Sequence, residues 1–323
     1  SLAEEKTMAS LERILVTGAT GFIGSHLVEA LLKDGRKIAI VKRPDSNLWR
    51  IASFQSRLKI YNNDDASLRR LFKKIKPQLV IHLAAYYVKE HRSITDAEEL
   101  IRSNVLFPVK ILELMRQHQV RYFINTGTCF EYDLSRKEKI KETSPLAPQN
   151  LYAATKLAFQ KILRYYAGAY QMKAVNFRLF PPYGPKDNEK LVNHLLNNLT
   201  TGQRIFQSPS QQQWNFTYVK DIVTAYRKAV VYLLKMKSDY EDFNIGIDKT
   251  YSVKQIIDVL ERLTGARNLV SYDRPYPAKE IFYLNCNNSK AKRLLGWRPK
   301  YSLERGLKET YEWYCLRHQR AKN

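Results

Sequence analysis

Short apolar runs alternate with stretches of helical spacing through residue 178, and no other feature limits the fold as strongly. The runs are Arg13–Val16, Ile38–Val41, Leu58–Tyr61, Leu79–His82, Tyr122–Asn125 and Ala174–Phe177. Between them, Ile23–Leu32, Ser67–Ile75, Ala97–His118 and Leu151–Tyr170 read as helices. Strands separated by helices pair in parallel, because each crossover needs a helix's worth of chain. Right-handed crossovers then give an α/β, doubly wound parallel sheet covered on both faces. The alternation weakens after Arg178, where Pro181, Pro182, Gly184 and Pro185 break the chain. Further on, Leu191–Leu199, Asp221–Met236, Tyr251–Leu263 and Ser289–Leu295 read as helices, and Trp214–Tyr218 as strand or loop. The expected division is a large domain over 9–178 plus about 214–247, and a smaller α+β lobe over about 179–213 plus 248–323.

Composition narrows the function classes. The 323 residues are 44% apolar and 26% charged, as in an ordinary globular protein. Lys and Arg number 54 against 31 Asp and Glu, a net charge of +23. Such a field attracts anions: nucleic acid, an acidic membrane or phosphorylated small molecules. The cations are scattered rather than gathered in one stripe, so a nucleic-acid partner is not expected. Cys129, Cys286 and Cys315 fit neither a disulfide framework nor a zinc site, and the six histidines lack ligand spacing. No metal is expected, and a reducing, cytoplasmic compartment is. No run approaches the roughly 18 apolar residues of a membrane helix. The opening SLAEEKTMAS lacks the basic and apolar regions of a secretory signal.

Where the first strand meets the first helix, the chain reads Thr17-Gly18-Ala19-Thr20-Gly21-Phe22-Ile23-Gly24. Glycines there allow a tight turn, close approach of backbone to a pyrophosphate, and close helix–strand packing. The helix N-terminus adds free N–H groups and partial positive charge. A dinucleotide is the implied ligand. The second strand ends Ile40-Val41-Lys42-Arg43-Pro44. An NAD site usually carries a carboxylate there for the ribose 2′-hydroxyl. Arg43 could instead hold a 2′-phosphate through a bidentate contact, with Lys42 beside it. NADP(H) is therefore favoured, and NAD(H) stands if both cations are only exposed surface.

Tyr152-Ala153-Ala154-Thr155-Lys156 opens a helix after Pro148, which puts Tyr152 and Lys156 on one face. A free phenol titrates near a pH of about 10. A neighbouring ammonium and the nicotinamide charge favour the phenolate, so Tyr152 can act as general acid or base. Alone the pair would be weak on a chain with 21 tyrosines. Its place downstream of the glycine turn and the fifth strand strengthens it.

Together these motifs resemble the extended short-chain dehydrogenase/reductase family of nucleotide-sugar epimerases, dehydratases and reductases. The resemblance extends over nearly the whole chain, to the late Lys292-Arg293-Leu294-Leu295-Gly296-Trp297. It implies a Rossmann fold with Thr20, Gly21, Phe22 and Ile23 around the cofactor. It also implies that Leu83, Ala84 and Ala85 line the cofactor beyond the fourth strand, that Asn104 supports it, and that Phe180 lies beside it. Asp64 or Asp65 falls where the family contacts adenine, and Asp64 is the choice. In Asn125-Thr126-Gly127-Thr128-Cys129-Phe130-Glu131-Tyr132, alignment on Tyr132 makes Thr128 the hydroxyl that bonds the reacting oxygen, with Thr126 the fallback. Lys156 would hold the nicotinamide ribose.

Departures from the pattern select among chemistries. Sugar 4,6-dehydratases carry Asp-Glu after this Thr. Here Cys129-Phe130 stand there, and Glu131 comes one position late. The usual substrate asparagine is replaced by Pro181, and an arginine near the diphosphate by Trp214, which can pack in the core or stack on a base or sugar. Arg274 remains as a diphosphate contact. Residues 42–50 look similar to 4-ketoreductases that make deoxy sugars. The implied activity is NADPH-dependent reduction of a nucleoside-diphosphate-linked 4-keto-6-deoxy sugar, with Thr128, Cys129, Phe130, Pro181, Trp214 and Arg274 around the substrate. An NAD-dependent epimerase is the alternative. A non-catalytic or RNA-binding protein on this fold is a third class, against which Thr128, Tyr152 and Lys156 stand. The family implies a homodimer through Ala97–His118 and Leu151–Tyr170.

Overall fold

The computed structural model describes residues 11–187 and 190–322, with side chains to 317; the opening segment and residues 9–10 of the expected large domain lie outside the described residues. The apolar runs pair as parallel strands: β1 (Arg13–Thr17), β2 (Lys37–Lys42), β3 (Lys59–Asn62), β4 (Leu79–His82), β5 (Tyr122–Thr128) and β6 (Lys173–Leu179). A seventh strand, Tyr240–Ile245, adds to β6, giving the order seventh–β6–β5–β4–β1–β2–β3. β1 and β4 are parallel, and the order in which strands are added reverses between them, so the crevice of a doubly wound sheet opens at their carboxyl ends. Alternate residues point to opposite faces. Ile14 and Val16 pack under helices α1 (Phe22–Lys33) and α7 (Val219–Leu233), while Leu15 packs with α2 (Asp65–Ile75), α4 (Phe107–Gln117) and α5 (Leu151–Ala169).

Several elements differ from the sequence reading. β5 runs on to Thr128, because the backbone of Thr126, Gly127 and Thr128 pairs with Phe177, Arg178 and Leu179 of β6. The seventh strand was not expected, since its Asp242 and Asn244 turn polar side chains inward and hide the apolar period. The helix expected over Ala97–His118 is α3 (Ile94–Ile101), a π turn at Arg102–Leu106, and α4. Pro108 near the start of α4 has no N–H to continue an α ladder. The π turn carries the buried Asn104.

The smaller lobe packs α6 (Leu191–Thr201), α8 (Val253–Thr264) and α9 (Leu303–Lys322) around Leu195, Leu196, Ile256, Leu260 and Leu307. Helix α9 had a legible seam in Leu303, Leu307 and Tyr314, masked by the charged and aromatic residues between them. One boundary needs correction. Ala291, Leu295 and Trp297, expected in the smaller lobe, join the core of the large domain. Trp297 is fully buried and donates Nε1–H to Asp221 O at 2.8 Å. The Asp221 carboxylate in turn accepts the N–H groups of Lys300 and Tyr301 at 2.8 and 3.1 Å. Among the described residues, no helix is long and apolar enough to cross a membrane. Trp297→Ala removes both the packing and the tie to α7, and should lower the unfolding free energy by about 3–5 kcal/mol in urea titration. A loss below about 1 kcal/mol would show that the late Gly-Trp segment is not an anchor.

Candidate active site

The glycine turn has the geometry of a backbone cradle. Gly18 has φ +72°, and a Cβ there would lie 2.5 Å from Ala84 N and 2.6 Å from Leu83 C. A Cβ on Gly24 would lie 2.1 Å from Gly18 O. Any side chain at either position would force apart the turn, α1 and the chain leaving β4. Helix α1 starts after Gly21 with no side-chain cap and no acidic residue in its first turn. Its first N–H groups, from Phe22 onward, are therefore available to an anion in the crevice. On the facing wall, Thr17 O accepts Leu83 N–H at 3.2 Å and Thr17 Oγ1 accepts Ala84 N–H at 3.3 Å. Thr17 Oγ1 also bonds His82 Nδ1 at 2.7 Å. This fits the pyrophosphate of a dinucleotide.

At the end of β2, Lys42 Nζ donates back to the carbonyls of Arg43 and Pro44 at 3.0 and 3.2 Å. Arg43 is exposed and pairs with Asp45 at 3.5 Å. Lys42 thus holds its own loop, and the cation facing solvent is Arg43. Asp64, chosen for adenine, caps α2: its Oδ1 accepts Ser67 N–H at 2.8 Å. Asp65 instead pairs with Lys110 at 2.8 Å. Asn104 is a brace. Its Nδ2 donates to Tyr86 O and Thr155 Oγ1, both at 3.0 Å, and its Oδ1 accepts Tyr86 N–H at 2.8 Å. With these groups used inside the protein, Asn104 acts on a cofactor only through the loop it pins to α5.

Asn150 caps α5 by accepting Ala153 N–H at 2.9 Å, so Tyr152 and Lys156 fall in the helix's opening turns. Helix α5 packs on β5 and on the short turn Cys129–Glu131. That brings Tyr152 and Lys156 to the end of the strand that carries Thr128. Thr128 caps the turn, its Oγ1 accepting Phe130 N–H at 3.3 Å, and its hydroxyl also bonds the Cys129 thiol. Thr126 Oγ1 instead lies 2.6 Å from Tyr226 Oη. Of the two hydroxyls, Thr128 is the better poised.

The electrostatics correct one expectation. In the protein's own residues, burial outweighs any acidifying pull of Lys156 on Tyr152. Burial raises the Tyr152 phenol well above its ordinary value, and Glu131, Tyr87 and Cys129 raise it further. Burial lowers the Lys156 ammonium to about 8, against an upward pull from Glu131. Desolvation penalises each charged form and dominates here. Tyr152 is therefore protonated at neutral pH and, without added positive charge nearby, a weaker acid than a free phenol.

Cys129 is buried with its thiol pushed upward by burial, so it is no acid. Phe130 and Trp214 pack together with Cys129 and Phe180. Trp214 Nε1–H donates to Ile281 O at 2.5 Å, and its ring stacks on Phe216 at 6.3 Å. Pro181 leads into the short strand Pro182–Tyr183. Arg274 sits in the smaller lobe, exposed, 5.3 Å over the Phe206 ring. The sequence reading did not single out Tyr87, and it read Glu131 only as one position late. Tyr87 sets its ring edge-on to Tyr152, 4.9 Å away; the only signal was a bulky Tyr-Tyr directly after Ala84-Ala85. Glu131 is fully buried beside the catalytic set rather than misplaced on the chain. No group of three or more His, Cys, Asp or Glu among the described residues could hold a metal.

A glycine cradle at a sheet switch point and a Tyr–Lys pair beside Thr128 define an NAD(P)-dependent α/β enzyme. The sequence pattern of the NAD dependent epimerase/dehydratase family matches residues 14–246, and the chain belongs to that family. It is 26% identical to the CDP-abequose synthase of Salmonella muenchen over 303 residues, 92% of this chain and 96% of that protein. It is 30% identical to the UDP-glucuronate 4-epimerase of Thermodesulfobacterium geofontis over 317 residues, 93% of this chain and 95% of that one. The solved UDP-glucose 4-epimerase of Thermotoga maritima with UDP-glucose superposes with a TM-score of 0.83 at 25% identity, covering 95% of this chain and 99% of its own.

Gly24→Ala tests the cradle, because its methyl group would lie 2.1 Å from Gly18 O. Fluorescence titration should show NAD(P)H binding weakened at least tenfold, about 1.4 kcal/mol, with the far-UV spectrum unchanged. A dissociation constant within twofold of wild type would place the dinucleotide elsewhere.

Proposed function

We propose that the chain is an NADPH-dependent reductase of a 4-keto-6-deoxy sugar carried on a nucleoside diphosphate. The observation that carries this is the end of β2, where Lys42-Arg43 stand in place of a carboxylate and Arg43 is exposed to meet a 2′-phosphate. NADPH is the cofactor of a net reduction, whereas an epimerase returns its hydride to the substrate. Bound NADPH would supply hydride to C4. Thr128 and Tyr152 would donate hydrogen bonds to the C4 oxygen, and Tyr152 would give that oxygen its proton. Lys156 would hold the ribose, and Arg43 the 2′-phosphate. Cys129 and Phe130 leave no acid–base pair for a dehydration. The likeness to a CDP-abequose synthase supports the same reading. We place the dinucleotide on the large domain and the sugar nucleotide against Phe130, Pro181, Trp214 and Arg274. Two copies would pair across α3–α5, where Ile101, Leu106 and Tyr165 are exposed.

A second reading, an NAD-dependent epimerase, is favoured by the 30% identity to a UDP-glucuronate 4-epimerase, and by Arg43 being already paired with Asp45.

Incubation with NADPH and CDP- or dTDP-linked 4-keto-6-deoxyglucose should oxidise one NADPH per sugar reduced. Tyr152→Phe should cut that rate by about 10²–10⁴-fold. Arg43→Glu should lower the preference for NADPH over NADH at least about tenfold. Interconversion of a sugar nucleotide with no net NADPH oxidation would decide for the epimerase.

A further inference from the structure

Beside the site lies a fully buried carboxylate that the proposed reaction does not use. Glu131 is fully buried, and its Oε1 accepts the Thr128 N–H at 2.8 Å. Its Oε2 accepts Arg178 Nε–H at 2.9 Å. A Cβ on Gly127 would sit 2.6 Å from Oε1, so the glycine makes room for the carboxylate against the strand. Arg178 is held on its other sides. It donates to Tyr132 Oη and Gln160 Oε1, both at 2.9 Å, stacks 4.8 Å over the Tyr132 ring, and lies 3.6 Å from Asp242. Gln160 is one turn beyond Lys156 on α5, and it donates to Asp242 at 2.8 Å. The ion pair therefore ties the Thr128 turn, β6, the seventh strand and the Lys156 helix into one unit.

A buried ion pair is often no more stabilising than an apolar pair of the same volume. Stability alone is a weak reason for a carboxylate here. We infer that Glu131, clamped by Arg178, is the positioning residue of the catalytic set: it fixes the turn that carries Thr128 and sets a negative charge facing Lys156. This rests on Thr128, Tyr152 and Lys156 acting as proposed above.

The charged and titratable surroundings support that role. Lys156 faces Glu131 from the β5 turn and His82 from β4, with Tyr152 on its own helix. Burial first, and then Lys156, hold His82 well below its ordinary value, so it stays neutral. Tyr152 faces Glu131, Tyr87 and Cys129, and Tyr226 of α7 feels it in turn. Beyond Glu131 lie Arg178 and Asp242. Among the described residues, Glu131 is thus the anion that acts on Lys156, opposing the burial that lowers it to about 8; burial also raises the Glu131 carboxyl, against the pull of Arg178, the Thr128 N–H and Lys156. A folded value depressed by burial falls further when the opposing carboxylate charge is removed, so the ammonium is lost nearer neutral pH.

The test is ¹³C NMR titration of ε-labelled lysines in the full-length protein, with the Lys156 signal assigned through Lys156→Arg. Glu131→Gln should move the Lys156 midpoint down by at least about one pH unit, a tenfold change in the protonation ratio. Glu131→Asp keeps the charge but shortens its reach. It should hold the midpoint near wild type while NADPH turnover falls at least tenfold, without a matching rise in KM. A Glu131→Gln midpoint unchanged from wild type overturns the inference. If Glu131→Gln does not fold, Glu131→Asp decides: wild-type turnover, or a Lys156 midpoint that drops despite the retained charge, overturns it. Should wild type oxidise no NADPH, the reductase reading fails, while the Lys156 titration still judges the Glu131 charge.

Discussion

The backbone at Gly18 passes so close to the chain leaving β4 that no side chain fits between them, and the crevice follows from that contact. With a Cβ excluded by Ala84 N at 2.5 Å, β1 and β4 can diverge only above the turn. There the order of added strands reverses across the sheet and the end of α1 stays open. Thr17 reinforces the contact by bonding both His82 and the Ala84 N–H. A parallel sheet alone would bring strand ends together without a cleft. This contact, repeated by Gly24 against Gly18 O, builds the turn beneath the crevice from backbone rather than from side chains that could rotate away.

Three strands away, the sheet does something less usual. Parallel sheets are buried on both faces and normally read as apolar runs. Along β5, β6 and the seventh strand, the buried residues include Asn125, Asn176, Arg178 and Asn244. They bond mostly to one another and their neighbours: Asn125 donates to Asn176 at 2.8 Å, Asn176 to Asp242 at 2.8 Å, and Tyr132 to Asn244 at 2.8 Å, while Asn125 Oδ1 is left without a partner among the described residues. Leaving any one unpaired would cost about 1–3 kcal/mol. The network therefore admits few alternative arrangements of the strand ends, which is useful where Thr128 must stay aimed at a reacting oxygen.

What could be read from sequence was local. The glycine turn, Thr128, and Tyr152 with Lys156 announce themselves within a few residues of chain, so their places were legible. Residues whose meaning depends on a distant partner were not. Asn104 points inward only because a π turn precedes Pro108. The seventh strand is polar because β6 and α5 offer it partners. Glu131 looked one position late when counted along the chain, and only folding shows Arg178 and the Thr128 N–H converging on it. The sign of the Tyr152 shift was missed for a related reason. Helical spacing reveals that Lys156 is near, but not how much water both groups have lost.

The net charge of +23 and the charge that matters for chemistry occupy different places. Most cations lie on the surface, where they draw phosphorylated molecules in at long range and are screened beyond roughly 10 Å. Inside, the balance is set by Lys156, Glu131 and Arg178, which water does not screen. Because Arg178 is committed to Glu131 and its neighbours, the pair is close to neutral, and Lys156 feels mainly the nearer carboxylate. Tyr152 feels the same anion as an obstacle to ionisation. One buried carboxylate thus pushes the two catalytic groups the same way, toward a protonated phenol beside a protonated amine. A phenol so placed holds its proton tightly, so moving that proton to or from a substrate oxygen needs positive charge beside it to offset burial and Glu131. Lys156 is the residue placed to supply such charge, and the nicotinamide of a bound cofactor would add to it.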